Sequence, residues 1–100
     1  MLTKLEVHPE VYEELEEARS WYDEHTPGLG KEFLDEIERA VSTIQKAPEA
    51  WPVYSNNVRR FLVHRFPFAI LYRYGDSKIQ IIAAMHQRRR PDYWKGRKFS

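Results

Sequence analysis

The stretch that decides the fold is residues 58–86, VRRFLVHRFPFAILYRYGDSKIQIIAAMH. It is rich in β-branched and aromatic residues, which favour strands, and it is interrupted by Pro67 and by the turn Gly75-Asp76-Ser77. Because short turns separate the apolar runs, we expect the strands to form an antiparallel meander. The predicted strands are residues 58–66, 69–74 and 79–86.

The strand predicted at 79–86 is apolar on both sides. With strict alternation, the odd-numbered residues from Ile79 to Met85 lie on one face, and Ile82 and Ala84 lie on the other. Such a strand is typical of the centre of a sheet, where helices cover at least one face.

The first half of the chain predicts a strand and a helix. Leu2 to Val7 alternates as a short strand, and His8-Pro9 then opens a helix with proline at its first position. Apolar residues recur at three- and four-residue spacing along one face of this helix, and glutamates fill the other face. The apolar residues are Val11, Leu15, Ala18 and Tyr22, and the glutamates are Glu13, Glu14, Glu16 and Glu17.

A second helix follows the break at Thr26-Pro27-Gly28 and begins near Gly30. The short connection predicts an antiparallel helical hairpin. Its wide apolar stripe consists of Phe33, Leu34, Ile37, Ala40, Val41 and Ile44.

The remaining segments are predicted to be irregular. Residues 48–57 contain two prolines and two asparagines and indicate a loop, and residues 95–100 form a short basic tail that we expect to be mobile. The chain is therefore predicted to be one α+β domain over residues 1–100. In it a helical hairpin packs on an antiparallel sheet, in two layers and in the order β-α-α-β-β-β.

Composition narrows the possible functions. At 100 residues and 42% hydrophobic, the chain is long enough for one core, and the absence of cysteine excludes disulfides, thiolate metal sites and a cysteine nucleophile. The histidines lack the spacing of a helical metal site, and no glycine-rich phosphate loop is present, so we expect neither metal nor cofactor. Without a signal peptide or membrane-spanning run, we expect a cytoplasmic protein with no membrane partner.

Charge is distributed unevenly along the chain. Residues 1–50 carry 5 Lys/Arg and 13 Asp/Glu, whereas residues 51–100 carry 11 and 2, so the halves have net charges of −8 and +9. This asymmetry predicts an acidic face beside a basic one, and the basic face would attract phosphate groups or an acidic protein segment.

Two stretches of the second half resemble the RelE/ParE superfamily, the toxins of type II toxin-antitoxin or plasmid stabilisation systems. They are residues 60–73, which include Phe66-Pro67-Phe68, and residues 84–94, AMHQRRRPDYW. The opening His8-Pro9-Glu10 and the order of elements extend the resemblance over nearly all of the chain. It implies a RelE/ParE-like fold, growth inhibition, and neutralisation by a cognate antitoxin in a hetero-oligomer.

The resemblance implies two targets and leaves a third role open. ParE-like toxins bind DNA gyrase, which requires no catalytic residue, and this is the favoured interpretation. RelE-like toxins cleave mRNA on the ribosome, so whether the chain is an enzyme is undecided. The third possibility is an inactive relative that binds its antitoxin as a co-repressor.

RNA cleavage without metal needs a proton acceptor, a proton donor and cations for the phosphorane. If the chain is RelE-like, His86, Arg88 and Tyr93 are the predicted catalytic residues. Between residues 58 and 74 the chain has arginines but no lysine, whereas mRNA-cleaving relatives bring lysines into the site, so proton transfer would depend on histidine. The residues predicted to converge with these and to bind nucleic acid or target are Arg60, His64, Arg65, Arg73, Arg89 and Arg90.

Structural roles are the alternative for several of these side chains. His86 can be a strand-end histidine bonded to backbone, and the arginine run can be a solvated cluster or a docking face for an acidic antitoxin. Tyr93-Trp94 can close the apolar edge of the sheet. The aromatic residues predicted to anchor the core or its loops are Trp21, Trp51, Phe33 and Phe61.

Overall fold

Two helices lie against one face of a five-stranded sheet in the computed structural model, which describes residues 3–99. The predicted α+β architecture is confirmed, and Leu2, the predicted start of the first strand, lies outside the described residues. The elements are β1 Lys4–Val7, α1 Pro9–His25, α2 Leu29–Lys46, β2 Val53–Ser55, β3 Val58–Leu62, β4 Phe68–Gly75 and β5 Lys78–His86.

The strand order is β1-β5-β4-β3-β2, with β5 next to the N-terminal strand. Strands β2 to β5 are antiparallel, as predicted for the meander, but β1 runs parallel to β5, from Lys4 opposite Lys78 to Val7 opposite Ile81. The sheet is therefore mixed rather than wholly antiparallel. The parallel pair is possible because the helical hairpin and three strands lie between β1 and β5 and return the chain in the same direction.

The predicted loop at 48–57 contains a strand. Val53–Ser55 forms β2 on the outer edge of β3, and the two strands are joined by Asn56 and Asn57. Both asparagines have positive φ, 50° and 62°, which is the conformation that a two-residue hairpin turn requires. The strand predicted at 58–66 ends at Leu62, because Arg65, with φ 72°, turns the chain before β4.

A β-bulge in β5 changes which residues face the helices. Tyr72 pairs with Ile81 and Leu71 pairs with Ala83, so Ile82 is an extra residue in the ladder. Ile79 and Ile81 face the helices, but beyond the bulge Ala84 does so, while Ala83 and Met85 lie on the opposite face. The predicted strict alternation is therefore wrong after residue 81.

The helical hairpin is built by local features of the sequence. The Nδ1 atom of His8 accepts a hydrogen bond of 3.2 Å from the backbone N–H of Glu10 and caps α1 at its N-terminus. Gly28 adopts φ 88° between the helices. A Cβ at Gly30 would lie 2.6 Å from the backbone oxygen of Arg19, so only glycine allows the helices to approach this closely.

Hydrophobic clusters lie on both faces of the sheet. The first joins the helices to the sheet through side chains such as Phe33, Ile37 and Ile70. The second contains Leu71, Met85 and the indole of Trp94 and is covered by the segment after β5, residues 87–99, so a predicted closing role for Trp94 is confirmed.

The tail is held to the body at Arg97. Its side chain is 8% exposed, and it donates a hydrogen bond of 3.0 Å to the backbone oxygen of Ile82. The prediction of a mobile tail is wrong at this position, because the guanidinium is hydrogen-bonded to β5 and forms an ion pair with α1.

Candidate functional site

A cavity of about 380 Å³ opens between the second half of α1 and the end of β5, and we call it the Trp21 groove. Small side chains, Ala18 and Ala84, leave space between the helix and the strand. The phase change at the bulge in β5 places Ala84 on this side of the sheet. The groove is lined by Glu14, Glu17, Ala18, Trp21, Tyr22, Phe68, Ala84, His86 and Arg89.

Trp21 is the exposed wall of this groove, with 55% of its surface accessible, and its prediction as a core anchor is wrong. Its indole stacks on the imidazole of His25 with 3.9 Å between ring centres, and His25 Nδ1 lies 2.8 Å from the backbone oxygen of Trp21. Trp21 also meets Tyr22 edge to face. The indole is thus held in place while it stays open to a partner.

His86 lies half-buried at the end of β5, on the side of the sheet that faces the helices. Its ring meets Phe68 edge to face at 5.1 Å, and its Nδ1 accepts a hydrogen bond of 3.0 Å from the backbone N–H of Arg88. This contact assigns the proton of the neutral ring to Nε2. This geometry matches the structural alternative, in which His86 is a strand-end histidine hydrogen-bonded to the backbone.

Glu14 organises the inner end of the groove. Its carboxylate accepts hydrogen bonds from the hydroxyl of Tyr93, from both terminal nitrogens of Arg97 and from the backbone N–H of Ala84. Its side chain is 13% exposed and that of Arg97 is 8% exposed, so this is a largely buried ion pair that joins α1 to the C-terminal segment.

Tyr93 takes its properties from this network. Burial raises the pKa of its hydroxyl far above the ordinary value, and the hydrogen bond to the Glu14 carboxylate raises it further. A hydroxyl that is held neutral and already donates to a carboxylate is a poor proton donor for RNA cleavage. Its ring is covered by Arg89, whose guanidinium carbon lies 4.1 Å from the ring centre.

Glu14 and Arg97 were missed among the candidate residues, although the sequence carried a signal for Glu14. It follows Val11 by three residues and precedes Ala18 by four, so it lies on the apolar stripe of α1 and not on the acidic face to which it was assigned. A carboxylate on a buried stripe requires a partner. Nothing in the sequence identifies Arg97 as that partner.

The structure brings only part of the predicted site together. Arg89 and His86 line the Trp21 groove, and Tyr93 lies directly beneath Arg89. Arg88 and Arg90 are exposed in the turn after β5, where Arg90 lies 3.6 Å from Asp92. Arg88, Arg89 and Arg90 form one basic surface at the end of the last strand.

The other predicted residues lie elsewhere, so the expected convergence is wrong. Arg60 extends from the opposite face of the sheet, over the ring of Tyr54. Arg73 is paired with Gln80, six residues along β5 from His86, a separation of about 20 Å. Strand register places both arginines on the face of the sheet away from the helices, because successive side chains of a strand alternate between faces.

The loop between β3 and β4 holds the last two candidates. Arg65 forms an ion pair of 3.0 Å with Glu32 of α2 and lies near the Phe66 ring. His64 is exposed in the same loop. Neither belongs to the residues that line the Trp21 groove.

A second groove of about 650 Å³ lies between the two helices and reaches the sheet, and we call it the helical groove. Ile70 and Ile81 of the sheet line it together with Val11 of α1, and its helical rim carries Asp35, Glu38 and Arg39. Tyr12, which is 61% exposed, also borders it.

Residues 3–99 contain neither a cluster of metal-binding side chains nor a helix that could span a membrane. Among residues 3–99, no three His, Asp or Glu side chains are grouped so that they could hold a metal ion. No helix in this range combines the length and apolar composition needed to cross a membrane.

The chain is similar to known proteins in sequence and in fold. No protein-family model matches it. It is 29% identical over 96 residues to Toxin ParE2 of Mycobacterium tuberculosis, in strains CDC 1551 / Oshkosh and H37Rv, and the match covers 92% of this chain and 89% of the relative. A chain of the solved "Chromosomal ParDE TA system from P. aeruginosa" shares the fold, with a TM-score of 0.75, 19% identity, and coverage of 85% of this chain and 96% of that one. The chain is therefore similar in sequence to a ParE toxin, and it shares its fold with a chain of a ParDE system.

Proposed function

We propose that this chain is the toxin of a type II toxin-antitoxin pair and that it arrests growth in a ParE-like manner, by binding DNA gyrase or another essential protein. One observation carries the choice of binding over RNA cleavage: the hydroxyl of Tyr93 is bonded to Glu14, in a network closed by Arg97. The predicted general acid therefore has a structural role.

The histidine supports the same choice. Because His86 Nδ1 accepts the backbone N–H of Arg88, the neutral ring carries its proton on Nε2 and cannot take the proton of a 2′-hydroxyl there. The cations needed around a phosphorane are dispersed, with Arg60 and Arg73 on the opposite face of the sheet. A binding protein needs none of these groups to converge.

We propose that the antitoxin occupies the helical groove. The neutralised form is then a hetero-oligomer, and we propose the cytoplasm as its location. An apolar floor with charged rims fits an amphipathic helix, whose apolar face would cover the half-buried side chains of Val7, Leu15 and Val41. The rim carries the carboxylates of Asp35 and Glu38 beside the guanidinium of Arg39, so it offers both signs of charge to such a helix.

The test is to induce the chain without its antitoxin and to follow thymidine and amino-acid incorporation separately in the first minutes. We expect DNA synthesis to fall first and protein synthesis to fall only later. Early loss of protein synthesis that His86→Ala or Tyr93→Phe relieves would establish the RelE-like nuclease instead. Unaffected growth would favour the inactive co-repressor.

A further inference from the structure

We infer that the Trp21 groove is the surface that holds the target, and that it takes an acidic segment of the target protein in which an apolar side chain lies beside a carboxylate. This inference rests on the proposed function, because it names the surface through which growth is arrested. It is carried by the apolar shape of the groove and by the cationic groups at one of its ends.

The apolar part of the groove is preformed. Ala18 and Ala84 leave room for one large side chain between Trp21 and Phe68, and a cavity of about 380 Å³ is sufficient for it. The stacking of Trp21 on His25 restricts the indole before any partner arrives, so less side-chain entropy is lost on binding. Exposed tryptophan and arginine are also the residue types that most often dominate binding energy.

The charged part favours a carboxylate on the partner. Arg89 is positioned over the ring of Tyr93, which is itself fixed by Glu14. The Glu14 carboxylate is compensated by Arg97, and the only other carboxylate that lines the groove among residues 3–99 is that of Glu17, which is exposed. His86 Nε2–H adds a donor beside Arg89, and Arg88 extends the basic surface beyond the groove.

The helical groove differs in ways that separate the two partners. It lies between α1 and α2, with acidic residues on its rim, whereas the Trp21 groove lies between α1 and β5 and ends in the basic surface. Tyr12 borders the first and Trp21 the second, and both are exposed aromatic residues of the same helix. They therefore provide a matched pair of variants.

The experiment expresses the full-length chain with Trp21→Ala, Arg89→Glu, Arg89→Lys or the control Tyr12→Ala, and measures growth arrest in cells and inhibition of supercoiling by purified DNA gyrase. Each variant is first shown to unfold in urea at the midpoint of the unaltered chain. We expect Trp21→Ala and Arg89→Glu to relieve growth arrest and to raise the half-inhibitory concentration about thirtyfold, the loss typical of a binding hot spot. Arg89→Lys and Tyr12→Ala are expected to stay within about threefold, since they retain the charge or lie on the other groove.

Three results would overturn the inference without touching the proposed function. One is arrest by folded Trp21→Ala or Arg89→Glu at the level of the unaltered chain. Another is retained arrest combined with lost rescue by the cognate antitoxin, which would make the groove an antitoxin surface. A third is retained arrest with conversion of a dimer into a monomer, which would make it a self-association surface. Failure of the unaltered chain to arrest growth would instead remove the proposed function.

Discussion

At the scale of single residues, Glu14 has the most consequences. It is a carboxylate on the apolar stripe of a helix, and it is stabilised there by donors from the hydroxyl of Tyr93, the guanidinium of Arg97 and the backbone of Ala84. A buried charge keeps its place only while its partners are present. The interaction therefore couples α1 to a segment nearly the whole chain away.

Replacement of Glu14 by alanine is expected to reduce the free energy of unfolding by about 3 kcal/mol, because it leaves the Arg97 guanidinium buried without its counter-charge. Urea denaturation followed by circular dichroism measures this loss. Glu16→Ala is the control, since Glu16 also pairs with an arginine, Arg19, but in solvent. Equal unfolding midpoints for the two variants would show that the buried network contributes nothing.

At the scale of the elements, α1 depends on an unusual cap. His8 accepts the Glu10 N–H through Nδ1, and its ring also meets Phe99 edge to face at 5.4 Å. Asparagine is a strong helix cap and alanine is not, while both remove the contact with Phe99.

The comparison of His8→Asn with His8→Ala therefore isolates the cap. We expect the alanine variant to be less stable than the asparagine variant by about 1 kcal/mol, as the difference in their free energies of unfolding in urea at pH 8. If the two variants unfold at the same denaturant concentration, the backbone of α1 does not depend on a side-chain acceptor at position 8.

The elements also show what the sequence could and could not predict. Both helices and the three long strands followed from apolar spacing, because that spacing records burial directly. The bulge at Ile82 did not, since a strand that is apolar on both faces has the same pattern in either phase. β2 was predictable in principle, because Asn56-Asn57 is a hairpin turn between residues that favour strands.

The candidate site was less predictable than the fold for a related reason. The cluster of His86, Arg89 and Tyr93 was foreseen because its members are close in sequence. Arg60 and Arg73 were misplaced because only strand register decides which face of the sheet a side chain occupies. The Trp21 groove joins α1 to β5, and contacts over that separation leave no local pattern.

At the scale of the whole molecule, a buried tyrosine is held neutral on each side of the sheet. Burial raises the pKa of Tyr72, beneath the helices, to about 12, and its hydroxyl donates a 2.7 Å hydrogen bond to the Pro48 oxygen. Tyr93, in the C-terminal segment, has a pKa raised in the same direction, first by burial and then by Glu14. In the unfolded chain both titrate near the ordinary value of about 10.

Stability is therefore expected to fall at alkaline pH. A folded-state pKa above the unfolded value gives stability that is fully present below about pH 10 and is lost as the pH rises toward the folded-state pKa. Each tyrosine contributes a slope of up to about 1.4 kcal/mol per pH unit in that range. Urea denaturation between pH 8 and pH 11 measures it, and Tyr72→Phe should flatten the decline whereas Tyr12→Phe, at an exposed site, should not.

The contact between Glu14 and Arg97 also sets a time during synthesis. The two residues are 83 positions apart, so the carboxylate of α1 is synthesised long before its counter-charge. At about 5 to 20 residues per second, the delay is roughly 4 to 17 s. During that interval the nascent chain holds α1 without the segment that covers the second face of the sheet, so the Glu14 carboxylate stays in solvent until Tyr93 and Arg97 are made.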